Sequence, residues 1–573
     1  MKSELDLIIR GGTIIDGTGS EPFQGDIAIA GGNFVAVGAV AETARDEIDA
    51  RGHIVTPGFV DIHTHYDGQA IWSDRLNPSS SHGVTTVVTG NCGIGFAPCH
   101  TQDHDTLIQL MEGVEDIPEA VMAQGLPWDW TSFPEFLDAL EARPRDIDVA
   151  AYLPHSALRL YVMGARGARR EVATASDLER MKCLIEEALA AGALGVGTSS
   201  TPVHRSVNGE PIPTYAVSED ELQSIAQAIA AQGRGVFQMV VDVDADIPME
   251  DLVSKLARVA KTSRNTVTFS LVQTDVYPDR WREILNLVQV ANNDPNVNII
   301  PQVLPRPIGM FLGFQLSLNP FIFCPTYQNE ILKLPPADRV DRLRDHEVRR
   351  RLLCEQPADS NLPLFQRARR FHKMFEISTE INYEPLLSES IERRAKRLGL
   401  SALEVAYDIL LKDNGNAMIY FAMTNYSNGN LDHVLEMLRT PGVVPGLGDG
   451  GAHYGLICDA SFPTFMLCHW TRDRRGERLE LAEAVKALTS APAAAVGLRD
   501  RGLILPGYKA DCNVINYEKL TLPPPHVSHD LPGNRMRLNQ LATGYKATIV
   551  SGVLIARDDT PSGARPGRLV RAQ

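Results

Sequence analysis

The sequence predicts an α/β fold, a parallel (β/α) barrel accompanied by a small β unit drawn from both ends of the chain. Three observations predict it. From Ile54 onward, apolar strand candidates alternate with amphipathic helices. Those strands are continuous apolar runs, the pattern of a parallel sheet covered on both faces. The first fifty residues and the tail break instead into short β-rich pieces punctuated by glycine.

In chain order, Leu5–Ile9, Thr13–Ile15, Gly25–Ile29 and Phe34–Val37 read as a small antiparallel sheet. Barrel strands are expected at 84–89, 147–153, 193–198, 235–240, 266–272 and 297–303. A helix over 177–191 gathers Leu178, Met181, Leu184, Ile185, Ala188 and Leu189 on one face and stops at Gly192. Ser218 with Glu221 predicts a capping box, and Pro248 with Asp251 opens the next helix. Residues 301–415 break the rhythm with Pro301, Pro305 and Pro307 and an aromatic patch of Phe311, Phe314, Phe321 and Phe323. A basic run, Arg339–Arg351, follows and reads as a solvated helix face. Strands resume at 417–423 and 443–447, flanking a helix over 431–439, and 479–496 is a closing helix. Short strands at 510–515, 547–550 and 553–556 are placed to complete the N-terminal sheet.

Composition narrows the function. The 573 residues are 44% hydrophobic and 22% charged, ordinary globular values that exclude a collagen or a disordered chain. A net charge of −16 repels a polyanion, so no nucleic-acid partner is expected. No apolar run of membrane-spanning length occurs, and the charged start lacks a signal-peptide core. Eight scattered cysteines form no CxxC pair, which points to a reducing, cytoplasmic setting.

The strongest chemical signal is Val60-Asp61-Ile62-His63-Thr64-His65-Tyr66-Asp67. Histidines two apart on a strand point to one side. At the C-terminal end of a barrel strand that side faces the mouth, where two neutral imidazoles can hold a divalent metal. Cys92 follows the next strand and offers a soft thiolate. Asp449, in Gly446-Leu447-Gly448-Asp449-Gly450-Gly451-Ala452-His453 after the last strand, is placed to touch water at the metal and take its proton. His453 lies in the same loop, placed to orient Asp449 or the substrate. His204 is read as structural.

These segments resemble a known family. Residues 9–19 (Ile-Arg-Gly-Gly-Thr-Ile-Ile-Asp-Gly-Thr-Gly) and 55–65 (Val-Thr-Pro-Gly-Phe-Val-Asp-Ile-His-Thr-His) are similar to the opening of the metal-dependent amidohydrolase superfamily. Within it, 83–93, Ala97-Pro98-Cys99, Ala193-Leu194-Gly195-Val196 and Pro506-Gly507-Tyr508-Lys509-Ala510-Asp511 resemble the N-acyl-D-amino-acid deacylases (D-aminoacylases). The resemblance implies a metal-dependent hydrolase with a (β/α)8 TIM-like barrel over 54–499, inserted at about 304–415. A small β-sandwich-like domain from 1–53 and 500–573 would stand beside it. It further implies a divalent metal, with zinc expected, held by His63, His65, Cys92 and Asp449. Asp449 and His453 would be catalytic, and His155, Gln238 and Gln273 would line the substrate pocket.

The sequence also departs from that family. Gln238 and Leu271 stand where the family has metal-binding histidines. Gln273 and Ile457 stand where it has a lysine and an arginine that hold a substrate carboxylate. The expected function is therefore hydrolysis of an amide C–N bond in a small, neutral or apolar molecule, with Phe311 to Tyr327 in the pocket wall. Three alternatives stay open: an N-acyl-D-amino-acid deacylase proper, a cyclic amide or imide hydrolase, and an inactive ligand-binding barrel. The sequence leaves the oligomeric state open.

Overall fold

The computed structural model describes residues 5–357 and 366–572. Eight parallel strands form the barrel: β1 (Phe59–Asp61), β2 (Val84–Thr89), β3 (Asp148–Pro154), β4 (Gly195–Ser199), β5 (Val236–Val240), β6 (Val267–Ser270), β7 (Ile299–Val303) and β8 (Val444–Pro445), hydrogen-bonded in that order. The segments following β1 and β8 meet at the mouth. Asp449 N–H donates to His63 O (3.0 Å), and His65 N–H donates to Gly450 O (2.8 Å). The residues that join the two edges of the barrel are thus the ones the sequence marks for chemistry.

The outer layer follows from amphipathic spacing. Helix α1 (His104–Glu115) lies between β2 and β3. Helix α2 (Ala175–Ala190) opens with a capping box between Thr174 and Asp177 and buries Met181, Leu184, Ile185, Ala188 and Leu189. Each large apolar side chain buried this way contributes about 1.5–3 kcal/mol. Helix α3 (Glu219–Gln232) starts at Ser218, whose hydroxyl accepts from Glu221 N–H. The expected box is only half formed, because the Glu221 carboxylate turns inward to His155 Nε2 (2.8 Å) and to the Arg159 guanidinium.

Beside the barrel stands a nine-stranded sheet. Its strand Leu5–Ile14 pairs antiparallel with Phe23–Ala30 but parallel with Ala44–Asp49 and Ile54–Pro57, so the sheet is mixed rather than antiparallel. The tail enters through Cys512–Ile515, which pairs with Ile54–Pro57, and through Tyr545–Val550 and Val553–Arg557. Ile54–Pro57 therefore belongs to this sheet, and the barrel begins at Phe59.

The insertion makes its own core. Ile308–Leu312, Met374–Glu376 and Ile419–Thr424 form a three-stranded antiparallel sheet. Phe314, Phe321 and Tyr327 pack with Tyr407 and Leu410 in a separate apolar cluster. Phe311 instead belongs to the main barrel core, and its segment bonds to the loop after His453 through Phe311 N–H to Leu456 O and Ser317 N–H to Gly455 O (3.2 Å). The basic run divides into helices Pro336–Leu343 and His346–Cys354, with Arg342 and Arg351 paired to Glu330 and Arg349 to Asp408. The closing helix is broken at Thr489 into Leu481–Leu488 and Ser490–Ala495.

The buried Glu221 network gives a test of this packing. Burial pushes the carboxyl up, but the hydrogen bonds and charges of His155 and Arg159 prevail and hold it at about 2, below its ordinary 4.5. A depressed folded value stabilises above pH 4.5 and is lost as pH falls toward 2. Glu221→Gln should cost about 3–5 kcal/mol at neutral pH by leaving Arg159 uncompensated. Thermal unfolding across a pH series should show this deficit shrinking below pH 4.5.

Candidate metal centre

Four donor atoms converge at the barrel mouth. Cys92 Sγ lies 3.4 Å from His63 Nε2 and 3.8 Å from His65 Nε2. Asp449 Oδ1 lies 3.5 Å from His63 Nε2 and 3.6 Å from His65 Nε2. A tetrahedral zinc with nitrogen at about 2.0 Å and sulfur at about 2.3 Å places its donors about 3.3–3.6 Å apart. His63, His65 and Cys92 therefore offer three mutually close donors for a divalent ion, with the Asp449 carboxylate beside the two imidazoles.

Each donor is fixed by its local backbone. His63 and His65 continue the alternation of β1, and Thr64 between them bonds Val88 O of β2 through both its N–H (3.1 Å) and its hydroxyl (2.8 Å). Cys92 sits in a turn after β2. Asn91 ties that turn down by donating to Thr64 O (3.2 Å) and Val88 O (2.9 Å). The turn crosses close to β4, where a Cβ on Gly197 would meet Gly90 O at 2.2 Å. On the other side, a Cβ on Gly448 would meet Asp61 Oδ2 at 2.5 Å, so glycine lets the Asp449 loop close over β1. Cys92, Leu447, Asp449 and His453 all hold φ near +50 to +60° (+56°, +63°, +47° and +51°). Four non-glycine residues in the left-handed region around one centre mark a strained functional site.

Burial favours the neutral form of the imidazoles, of Asp61 and of the Cys92 thiol alike. Burial pushes His63 down to about 4 and His65 to about 3, so both are neutral ligands at pH 7. His63 Nδ1 donates to Gln302 Oε1 (3.0 Å), and Gln302 Nε2 donates to Thr268 Oγ1 (2.9 Å). That chain leaves the His63 Nε2 lone pair facing the cluster. Burial raises Asp61 to about 8, against the hydrogen bond it accepts from His63 N–H (3.1 Å). Burial, then the charges of Glu115, Asp449 and Asp67, push the Cys92 thiol well above its ordinary range.

The remaining sequence candidates have other work. Gln238 Oε1 accepts from Cys92 N–H (3.1 Å), which positions the cysteine turn, while its Nε2 has no partner among the described residues. His155 spends Nδ1 on Thr198 Oγ1 (2.8 Å) and Nε2 on Glu221, which removes it from the pocket. Gln273 is bound into a loop through Pro278 O (3.1 Å) and Ser427 N–H (2.9 Å). His453 Nε2 lies 3.4 Å from Glu115 Oε2 rather than on Asp449. His204 is nearer the centre than its sequence position suggests: its Nδ1 meets Ser199 Oγ (3.0 Å), and its ring feels the charges of His65, His453 and His63. Sequence reading missed Glu115 and Gln302. Gln302 left a faint signal, a polar residue in the apolar run of β7; Glu115 left none, at the end of a surface helix.

A barrel mouth with a buried His-x-His, a thiol and a loop aspartate defines a class, the metal-dependent hydrolase barrels. The chain belongs to the Amidohydrolase family, whose pattern matches residues 46–556. It is 26% identical to the N-acyl-D-glutamate deacylase of Alcaligenes xylosoxydans xylosoxydans, over 100% of this chain and 97% of that protein. It is 35% identical to the D-aminoacylase of the same organism, over 52% of this chain and 57% of the other. In fold it is similar to the N-acyl-D-glutamate deacylase of Bordetella bronchiseptica, solved with zinc and a phosphonate inhibitor (TM-score 0.65, 24% identity, 99% of this chain and 100% of that one). It is thus a divergent relative of the deacylases, a metal-dependent hydrolase of C–N bonds other than peptide bonds. Among the described residues no helix is long and apolar enough to cross a membrane.

The Gln302 contact is testable. Gln302→Leu removes the acceptor that orients His63 and should weaken metal binding about 10–100-fold. Competitive chelator titration of the two proteins measures it; unchanged affinity would leave Gln302 a packing residue.

Proposed function

We propose that this protein hydrolyses the amide bond of a small neutral molecule at a zinc centre built on His63, His65 and Cys92, with Asp449 as the base. The observation that carries this reading is the placement of Asp449 Oδ1 3.5–3.6 Å from both imidazoles, on the glycine-rich loop that closes the barrel. Bound zinc supplies Lewis acidity, polarising the amide carbonyl and acidifying water. The Asp449 carboxylate accepts one water proton as the oxygen bonds to the acyl carbon. Asp449 then gives that proton to the nitrogen as the C–N bond breaks, leaving a carboxylic acid and an amine. His63 and His65 remain neutral throughout, and Asp449 is the most exposed of the four donor side chains, at 17%.

A neutral substrate is favoured by the charges around the centre. Those acting on Cys92 and Glu115 come from carboxylates alone. Arg306, the arginine nearest in the β7 loop, is fully buried and already paired with Asp459 Oδ1 (2.7 Å), with its face over Tyr383. An anionic substrate thus meets carboxylates at the centre and an Arg306 that is already paired. The proposal includes a cytoplasmic setting, which fits eight unpaired cysteines. It also includes the division into a β domain drawn from both ends of the chain and a barrel between them, the boundary expected at 53/54 moving to follow Pro57, because 54–57 pairs in the β sheet.

The test is a kinetic comparison of one acyl group on an amino-acid amide and on the free N-acyl-D-amino acid. A hydrogen bond to a charged group is worth about 1.5–3 kcal/mol, so the amide should have a kcat/KM about tenfold or more above the acid. A clear preference for the acid would return the chain to the deacylase reading.

A further inference from the structure

The metal reading leaves one group unexplained. Glu115 is the last residue of α1, 2% exposed, yet it is a carboxylate facing the donor cluster. Its Oε2 lies 3.4 Å from His65 Nε2 and 3.4 Å from His453 Nε2, and its Oε1 has no hydrogen-bond partner among the described residues. A buried carboxylate without a cation is expensive. This one also sits at a helix C-terminus, where the helix dipole disfavours negative charge.

The position is nevertheless held firmly. The next residue, Asp116, caps α1 in the left-handed conformation (φ +49°), and its Oδ2 accepts from Gly455 N–H (3.1 Å) and from Ser317 Oγ (3.3 Å). Glu115 O accepts from His453 N–H. At the same helix end, a Cβ on Gly113 would meet the backbone of Ser206 at 2.1 Å, so glycine lets α1 press against the His204 loop. Helix end, Asp449 loop and donor cluster form one body that holds an unbalanced carboxylate beside His65.

We propose that Glu115 is the carboxylate ligand that completes the metal shell with His63, His65 and Cys92, leaving Asp449 free to act as base. The assignment rests on the metal reading above. Its 3.4 Å edge to His65 equals the edge between Cys92 and His63. One thiolate and one carboxylate neutralise a divalent ion, so Asp449 keeps its own charge and its basicity. Two histidines, a thiolate and a buried glutamate also replace in number what Gln238 and Leu271 cannot supply.

The experiment uses the full chain, stripped of metal and titrated with zinc against a competing chelator. Glu115→Gln should lose more than about 100-fold in affinity, beyond the loss typical of an outer contact. Asp449→Asn should stay within about tenfold of wild type in zinc affinity while losing turnover. Metal-free Glu115→Gln should melt no lower than the metal-free wild type, since a neutral amide replaces a buried acid that has no cation partner there. Anomalous scattering from the zinc-loaded wild type gives a second readout, with the ion expected about 2.0–2.2 Å from a Glu115 oxygen. An ion bound by Asp449 and not by Glu115, or a Glu115→Gln protein with wild-type affinity, overturns the assignment. A wild type that holds no tight ion overturns the metal reading and this assignment with it.

Discussion

The barrel mouth is built around an electrostatic imbalance. Glu115 and Asp449 lie 3.4–3.6 Å from buried neutral imidazoles beside a thiol, and the charges acting on Glu115 and Cys92 come from carboxylates alone. Burying such groups together costs several kcal/mol apiece unless a cation compensates them. The strained turns at Cys92, Leu447, Asp449 and His453 add to that cost. Such expense is understandable at a site that recovers it on binding a divalent ion, because a ligand bound only by the folded state stabilises that state.

The same residues complete the barrel. The hydrogen bonds from Asp449 to His63 and from His65 to Gly450 join the first and eighth strands, so the edge that closes the fold also sets the distance between ligands and base. Substitutions in the 446–453 loop should therefore be read as changes of geometry as well as chemistry. Gly448 shows why: any side chain there would strike Asp61 Oδ2 before it reached the centre.

Much of this was legible in the chain. Strand–helix alternation fixed the barrel because parallel strands buried on both faces need apolar runs of their own. His63, His65, Cys92 and Asp449 were readable because each follows a strand directly, where sequence position and the barrel mouth coincide. Glu115 was not, since it reaches the centre from the far end of a surface helix, and only tertiary packing brings it there. His155, Gln238 and Gln273 show a related limit, since the structure gives each a partner in the backbone or in another side chain that the sequence does not reveal. A polar residue at a strand end either faces substrate or ties the backbone, and only its hydrogen-bond partners distinguish the two. The aromatic insertion is a mixed case: Phe314, Phe321 and Tyr327 serve a core of their own, hidden until the 308–312 and 419–424 strands pair, whereas Phe311 joins the barrel core.

The most direct measurement of the central claim is the metal content of the purified protein after exhaustive dialysis, by elemental analysis against protein concentration. With two histidines, one thiolate and one carboxylate in the shell, the account predicts one tightly held divalent ion per chain, and zinc when zinc is supplied. Two tightly held ions would contradict it by requiring a second donor set, and none would leave the buried carboxylates without the cation on which the whole arrangement depends.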